Sequence, residues 1–141
     1  MADTGLLISM AFDEKGRVPN EIYQKLLHNK LEINEGMLVE NIVAQMLAAA
    51  GHNLYFYSNS SRENADERME IDFLISKGKI TSRHNISPIE VKSSTRYTLN
   101  SLRKCIAKFA AHLATPYVLH GADLQEKDDV VFLPLYMTGL L

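Results

Sequence analysis

Hydrophobic and polar positions change period several times along the chain, and each change marks an element. Residues 3–12 are apolar but short, and a turn signal follows at Asp13–Gly16. Asn20 is placed to cap a short helix running to Asn29, and Asn34 is placed to cap a second. Glu35–Ala50, rich in Met, Leu and Ala, reads as a strong helix that Gly51 stops in a left-handed conformation. Leu54–Tyr57 is aromatic and strand-like, with core packing in a central strand as the expected role of its rings. From Ser58 to Arg68 only Ala65 is apolar, which predicts a mobile, solvated loop.

Met69–Ser76 alternates as a strand should. A regular strand would put Met69, Ile71, Phe73 and Ile75 on one face and Glu70, Asp72 and Leu74 on the other. Lys77-Gly78-Lys79 makes a turn, and Ile86–Lys92 is the next strand, with Pro88 marking its start. A helix opening at Leu99-Asn100-Ser101 carries Leu102, Ile106, Phe109, Ala110 and Leu113 on its apolar stripe, with Cys105 as a buried helix residue. Pro116–His120 is a short strand, so strand, helix and strand together predict a right-handed parallel crossover. Val130–Tyr136 closes the series, as an edge strand on account of Pro134. The fold class is therefore α/β, a small mixed central sheet flanked by helices. Its 141 residues suit one domain over 1–141, with 1–34 as an N-terminal extension.

Charge and composition narrow the function. A net charge of −2 excludes a basic nucleic-acid glove, so any such contact needs a local patch, a metal ion or a partner chain. Cys105 is alone, which excludes a disulfide framework and points to the cytoplasm. No apolar run approaches the roughly 20 residues of a membrane span, and residues 1–16 have no basic start or signal-peptide core. There is no GxxxxGK[ST], GxSxG or HExxH pattern, and the five histidines do not cluster in sequence.

The candidate chemistry centres on Glu90-Val91-Lys92. In a strand, Glu90 and Lys92 project together while Ile89 and Val91 pack behind. Asp72 has apolar flanks on the preceding strand, and suitable pairing would let Asp72 and Glu90 share one cation. Glu40 borders the apolar stripe of its helix, with Met37, Val43 and Leu47 at −3, +3 and +7. Three acids against one lysine are unfavourable in a partly buried site unless a cation or protons relieve them. Mg²⁺, with Mn²⁺ as a substitute, suits such oxygen ligands and phosphate. Asp72 and Glu90 are the expected metal ligands. Lys92 and Glu40 are the expected catalytic residues, Lys92 orienting a water or stabilising the transition state. The competing reading makes Glu90 and Lys92 an ordinary surface pair.

The order Gly36-Met37-Leu38-Val39-Glu40-Asn41-Ile42-Val43-Ala44, Leu54–Tyr57, Glu70-Ile71-Asp72-Phe73-Leu74-Ile75 and Pro88-Ile89-Glu90-Val91-Lys92-Ser93 resembles a known family. It is similar to the C-terminal domain of unknown function of prokaryotic AAA+-type ATPases, itself similar to PD-(D/E)XK nucleases such as archaeal Holliday-junction resolvases. Asp3-Thr4-Gly5-Leu6-Leu7 matches the start of that region. The resemblance implies a PD-(D/E)XK, restriction-endonuclease-like core, with Asp72 and Glu90 as metal ligands, Lys92 as the catalytic lysine and Glu40 as the helix acid. It also implies parents with an ATPase module and a winged-helix segment upstream, of which this chain would be an excised domain or a stand-alone remnant. The chain departs from the pattern at Ser94, where glycine is usual, and in a longer connection from Lys77 to Ser87.

The leading expectation is a Mg²⁺-dependent nuclease-like domain hydrolysing nucleic-acid phosphodiesters, with DNA the expected partner. Arg96, Arg103, Lys104 and Lys108 are candidates for a backbone-phosphate track, against the alternative of a solvated helix face. Tyr55, Phe56 and Tyr57 are candidates for base stacking, against core packing. The alternative function is a catalytically quiet nucleic-acid-binding or regulatory module serving an AAA+-type ATPase, and a third is a homodimerisation unit.

Overall fold

A computed structural model describes residues 35–61, 67–76 and 86–141. The expected elements over 3–12 and Asn20–Asn29, the Asn34 cap, the centre of the 58–68 stretch and the turn at Lys77-Gly78-Lys79 lie outside the described residues.

Helix α1 spans Glu35–Ala49. Its end has a simple cause. Gly51 adopts φ +93°, and the amides of Gly51 and His52 donate back to the carbonyls of Ala48 and Leu47 at 3.0 and 3.1 Å. This Schellman closure satisfies carbonyls that the helix leaves open. Among the described residues, six strands follow in one mixed sheet: β1 Tyr55–Asn59, β2 Met69–Ser76, β3 Ile86–Val91, β4 Tyr117–His120, β5 Gln125–Lys127 and β6 Val130–Pro134. Helix α2, Asn100–Phe109, connects β3 to β4, and a 3-10 helix over Leu135–Leu140 follows β6. The order across the sheet is β1-β2-β3-β4-β6-β5. β3, β4 and β6 run parallel, and the outer pairings are antiparallel. The α/β class and the parallel β3–α2–β4 unit thus agree with the pattern of the sequence.

Each sheet face has its own apolar cluster. Val43 and Leu47 of α1 pack with Ile75, Ile89, Val91, Tyr117, Leu119 and Leu133. On the other face Leu102 and Cys105 of α2 pack with Met69, Ile71, Val118, Val130 and Phe132. Alternation along β4 serves both, since Tyr117 and Leu119 go one way and Val118 the other.

β2 departs from the single face expected for Met69, Ile71, Phe73 and Ile75. Met69 and Ile71 join the α2 cluster, whereas Ile75 belongs to the α1 cluster and Phe73 packs against it. The cause is a bulge. Tyr55 pairs with Leu74 but Tyr57 pairs with Ile71, so β2 inserts one extra residue at Asp72–Phe73.

Other expectations need correction. Among the described residues the aromatic segment is not central: β1 lies at one end of the sheet, with Tyr55 58% and Phe56 78% exposed. Pro88 sits inside β3, not at its start. The Ile86 carbonyl accepts from Ala114 and the Lys92 amide donates to Leu119, so even-numbered residues of β3 turn their polar groups toward β4. Pro88 faces that way before the first rung, Ile89 with Tyr117, where no donor is required. β6 ends at Pro134 and is not an edge, because β5 covers it. Exposed Gln-Glu-Lys gives β5 no apolar signal. The turn from it uses Asp128 and Asp129 at φ 53° and 59°, the paired positive values of a tight hairpin. Ala110 is exposed and lies just beyond α2.

Leu47 is fully buried between α1 and the sheet. Leu47→Ala should cost about 2–5 kcal/mol, read as a lower urea midpoint with an unchanged slope. A loss well under that range would mean that α1 is only loosely docked.

Candidate functional site

The β2–β3 ladder pairs Ser76 with Ile86 through Phe73 with Ile89 and stops there. The Val91 amide beyond it points toward β2 and still requires an acceptor. Asp72 supplies one: the Val91 N–H donates to Asp72 Oδ2 at 2.7 Å. The bulge frees the Asp72 side chain for this, and the bond fixes the carboxylate between Glu90 and Lys92 in sequence.

Glu90 is 3% exposed and sits on the α2 face, opposite the direction of Ile89 and Val91. The Lys92 ammonium lies 3.3 Å from Glu90 Oε2, with the two side chains 23% and 4% exposed. Apart from this ion pair, the buried Glu90 Oε2 meets no further polar group among the described residues. The α2 end also bears on this group. The helix begins after Leu99 with no side-chain cap, and the Leu102 amide in its first turn acts on the Glu90 carboxylate. A carboxylate from β3 thus stands where a capping side chain usually does.

Glu40, half-buried on α1, completes the group. Its carboxyl is raised above the ordinary range by burial first, then by the charges of Asp72 and Glu70, against a smaller lowering by Lys92. Asp72 is raised mainly by burial, opposed by the Val91 amide and Lys92, with Glu70 adding to the rise. Glu90 is likewise raised by burial, opposed by Lys92 and the Leu102 amide, while Asp72 pushes it up. All three acids are therefore proton-seeking, and Lys92 faces each of them electrostatically.

Asp72 and Lys92 act electrostatically on both Glu40 and Glu90, which show no interaction with each other, and the four basic candidates are dispersed. Arg96 is exposed in the loop after β3. Arg103 lines a separate groove of about 350 Å³ with Lys127 and Asp128. The Lys104 ammonium donates to the Arg68 carbonyl at 3.2 Å. Lys108 is exposed, with its ammonium 5.7 Å from the centre of the Phe109 ring. Among the described residues, no three His, Cys, Asp or Glu side chains are grouped closely enough to hold a metal ion together. Glu70 was not among the expected site residues, although its alternation with Asp72 was the available signal. The roles of the Val91 and Leu102 amides had no sequence signal, because backbone donors carry no residue type. Among the described residues, no helix is long and apolar enough to cross a membrane.

Because each of these folded-state pKa values lies above its unfolded value, the folded chain holds protons that the unfolded chain has released. Their stabilising contribution is fully present below about pH 4 and is lost as pH rises through the folded values. Asp72→Asn keeps an acceptor for Val91 and removes the buried charge. The variant should exceed the wild type in urea midpoint by a few tenths of a molar at pH 8, with the gap narrowing toward pH 4. A variant weaker than the wild type across that range would mean that attraction to Lys92 outweighs burial.

Comparison with known proteins gives one relationship. Neither the curated proteins nor the solved structures contain a match to this chain. The profile of the domain of unknown function DUF4143 matches residues 35–137, which begins with α1 and ends in the closing 3-10 helix. The chain belongs to the DUF4143 family of domains of unknown function.

Proposed function

We propose that this domain is a Mg²⁺-dependent nuclease of the PD-(D/E)XK type that hydrolyses nucleic-acid phosphodiesters, DNA in the first instance. The observation that carries the reading is the buried Glu90 carboxylate, held by an ion pair to Lys92 alone among the described side chains and next to the strand that bears Asp72. The Lys92 ammonium 3.3 Å away offsets only part of the cost of burying that charge, since the Glu90 carboxyl stays raised, and a metal ion would offset more of it. The donor set fits Mg²⁺, which commonly takes one or two carboxylates and fills its shell with water and phosphate oxygens. Glu90 and the second oxygen of Asp72 would hold the ion. When bound, it supplies Lewis acidity and makes the hydrolytic water more acidic.

The remaining work falls to the chain itself. The Val91 amide keeps Asp72 from turning away, and the Leu102 amide steadies Glu90. Lys92 is partly exposed, so its ammonium can meet a phosphate oxygen or orient a water. Glu40 lines a cleft with Asp72 and is suited to hold a proton or water there, since burial favours its neutral form.

A second reading, a catalytically quiet nucleic-acid-binding or regulatory module for an ATPase in a longer parent chain, also has specific support. The described acids form no three-membered ligand group, the basic residues are dispersed, and the net charge is −2. Under either reading phosphate binding should be weak at physiological salt.

The test is cleavage of single-stranded, duplex and branched DNA with Mg²⁺, Mn²⁺ or EDTA. Weak metal-dependent cleavage is expected, falling about 100-fold or more in Lys92→Ala and Glu90→Gln. Mg²⁺ should also raise the thermal midpoint of the wild type but not of Asp72→Asn, because only the native site binds it. Cleavage that survives EDTA or either substitution sinks the nuclease reading. A Mg²⁺-dependent melt without cleavage of any substrate selects the quiet module.

A further inference from the structure

Two aromatic rings outside both apolar clusters share a cleft with the acids of the site. Tyr55 and Phe56 lie on β1, the end strand of the sheet, and are the aromatic wall of a cleft of about 380 Å³. Glu40, Glu70 and Asp72 line the same cleft. Phe56, at 78% exposure, contributes little to the core, whereas Tyr57 next to it turns inward and packs edge-on against Phe109 of α2 at 5.6 Å. Large exposed rings lose hydrophobic stabilisation unless a ligand covers them. The cleft volume is within the range of small-molecule sites.

We propose that Phe56, with Tyr55 beside it at the rim of the cleft, provides a stacking surface for an unpaired nucleobase of the strand whose phosphate meets Lys92, so that the substrate class is single-stranded or locally unpaired nucleic acid. This rests on the nuclease reading and adds the form of the substrate to it. The charge pattern decides which part of a nucleotide enters the cleft. Three carboxylates repel a phosphate, which is drawn instead to Lys92 and the cation. A base is flat and neutral, and the exocyclic amino groups of adenine, cytosine and guanine can donate to a carboxylate such as Glu70. Stacking on Phe56, with an edge contact from Tyr55, covers exposed apolar surface and accepts any base, since each base has a π face. A base within a duplex has both faces covered by its neighbours, so a paired strand cannot use this platform without opening.

The experiment is fluorescence anisotropy with the full chain and Ca²⁺, which takes the same kind of oxygen ligands as Mg²⁺. Three labelled probes of equal length are compared: a mixed-sequence single strand, a single strand lacking all bases, and a duplex. The mixed single strand should bind most tightly. Phe56→Ala and Tyr55→Ala should each weaken it roughly 5- to 150-fold, the effect of one stacked base, and leave the baseless strand unchanged. Phe56→Trp should retain binding. Both positions are exposed, so folding is checked simply by an unchanged urea midpoint. Equal binding of the baseless and mixed strands, or no change in Phe56→Ala, overturns the platform and leaves the nuclease reading standing. No binding of any probe overturns the platform, and the cleavage assay decides the nuclease reading separately. Self-association that Phe56→Ala abolishes, with nucleic-acid binding unaltered, assigns the face to a second copy of the chain and also overturns the platform.

Discussion

Where β2 and β3 part, the Val91 amide has no strand partner left, and an acidic side chain takes the place of a backbone carbonyl. Much of the site follows from that substitution. A backbone donor that lacks an acceptor is expensive in a protein interior, so the Asp72 carboxylate is held as firmly as a rung of the ladder. The bulge that releases it also turns Phe73 and Ile75 toward α1 while Met69 and Ile71 stay with α2. One irregularity therefore serves both apolar clusters and fixes the carboxylate at the boundary between them.

Glu90 shows the complementary arrangement. It is more deeply buried than Asp72, and its compensation comes from a lysine two residues away and from the amide end of a helix. These partners reduce the penalty of burying the charge without removing it, since the carboxyl remains proton-seeking. An arrangement of this kind stores unfavourable energy where a cation or a proton can release it. The rigid elements around it, α1 stopped by Gly51 on one face and α2 on the other, keep the acids from relaxing apart.

Local features were largely legible in the sequence. The Met69–Ser76 strand, the burial of Cys105, the stop at Gly51 and the joint projection of Glu90 and Lys92 each depend on spacing within one segment. What escaped depended on a second segment. The bulge is a mismatch of register between β1 and β2, so the Asp72 strand alone gives no sign of it. β5 consists of three exposed polar residues and is a strand only because β6 lies beside it. Tyr55 and Phe56 have the composition of a core strand, and only the sheet order reveals that they stand at its end. Pro88 misled for a similar reason: its tolerance depends on where β4 begins.

The two ends of the sheet are built differently, and this has a consequence for handling the protein. β5 is three residues long, fully exposed and polar, and the tight Asp128–Asp129 turn binds it to β6. Such a short, charged margin is a poor template for another chain. β1 is longer and presents Tyr55 and Phe56 beside its backbone. Concentrated or partly unfolded protein should therefore associate from the β1 side, and fibrils or precipitate should show protection from hydrogen exchange there first.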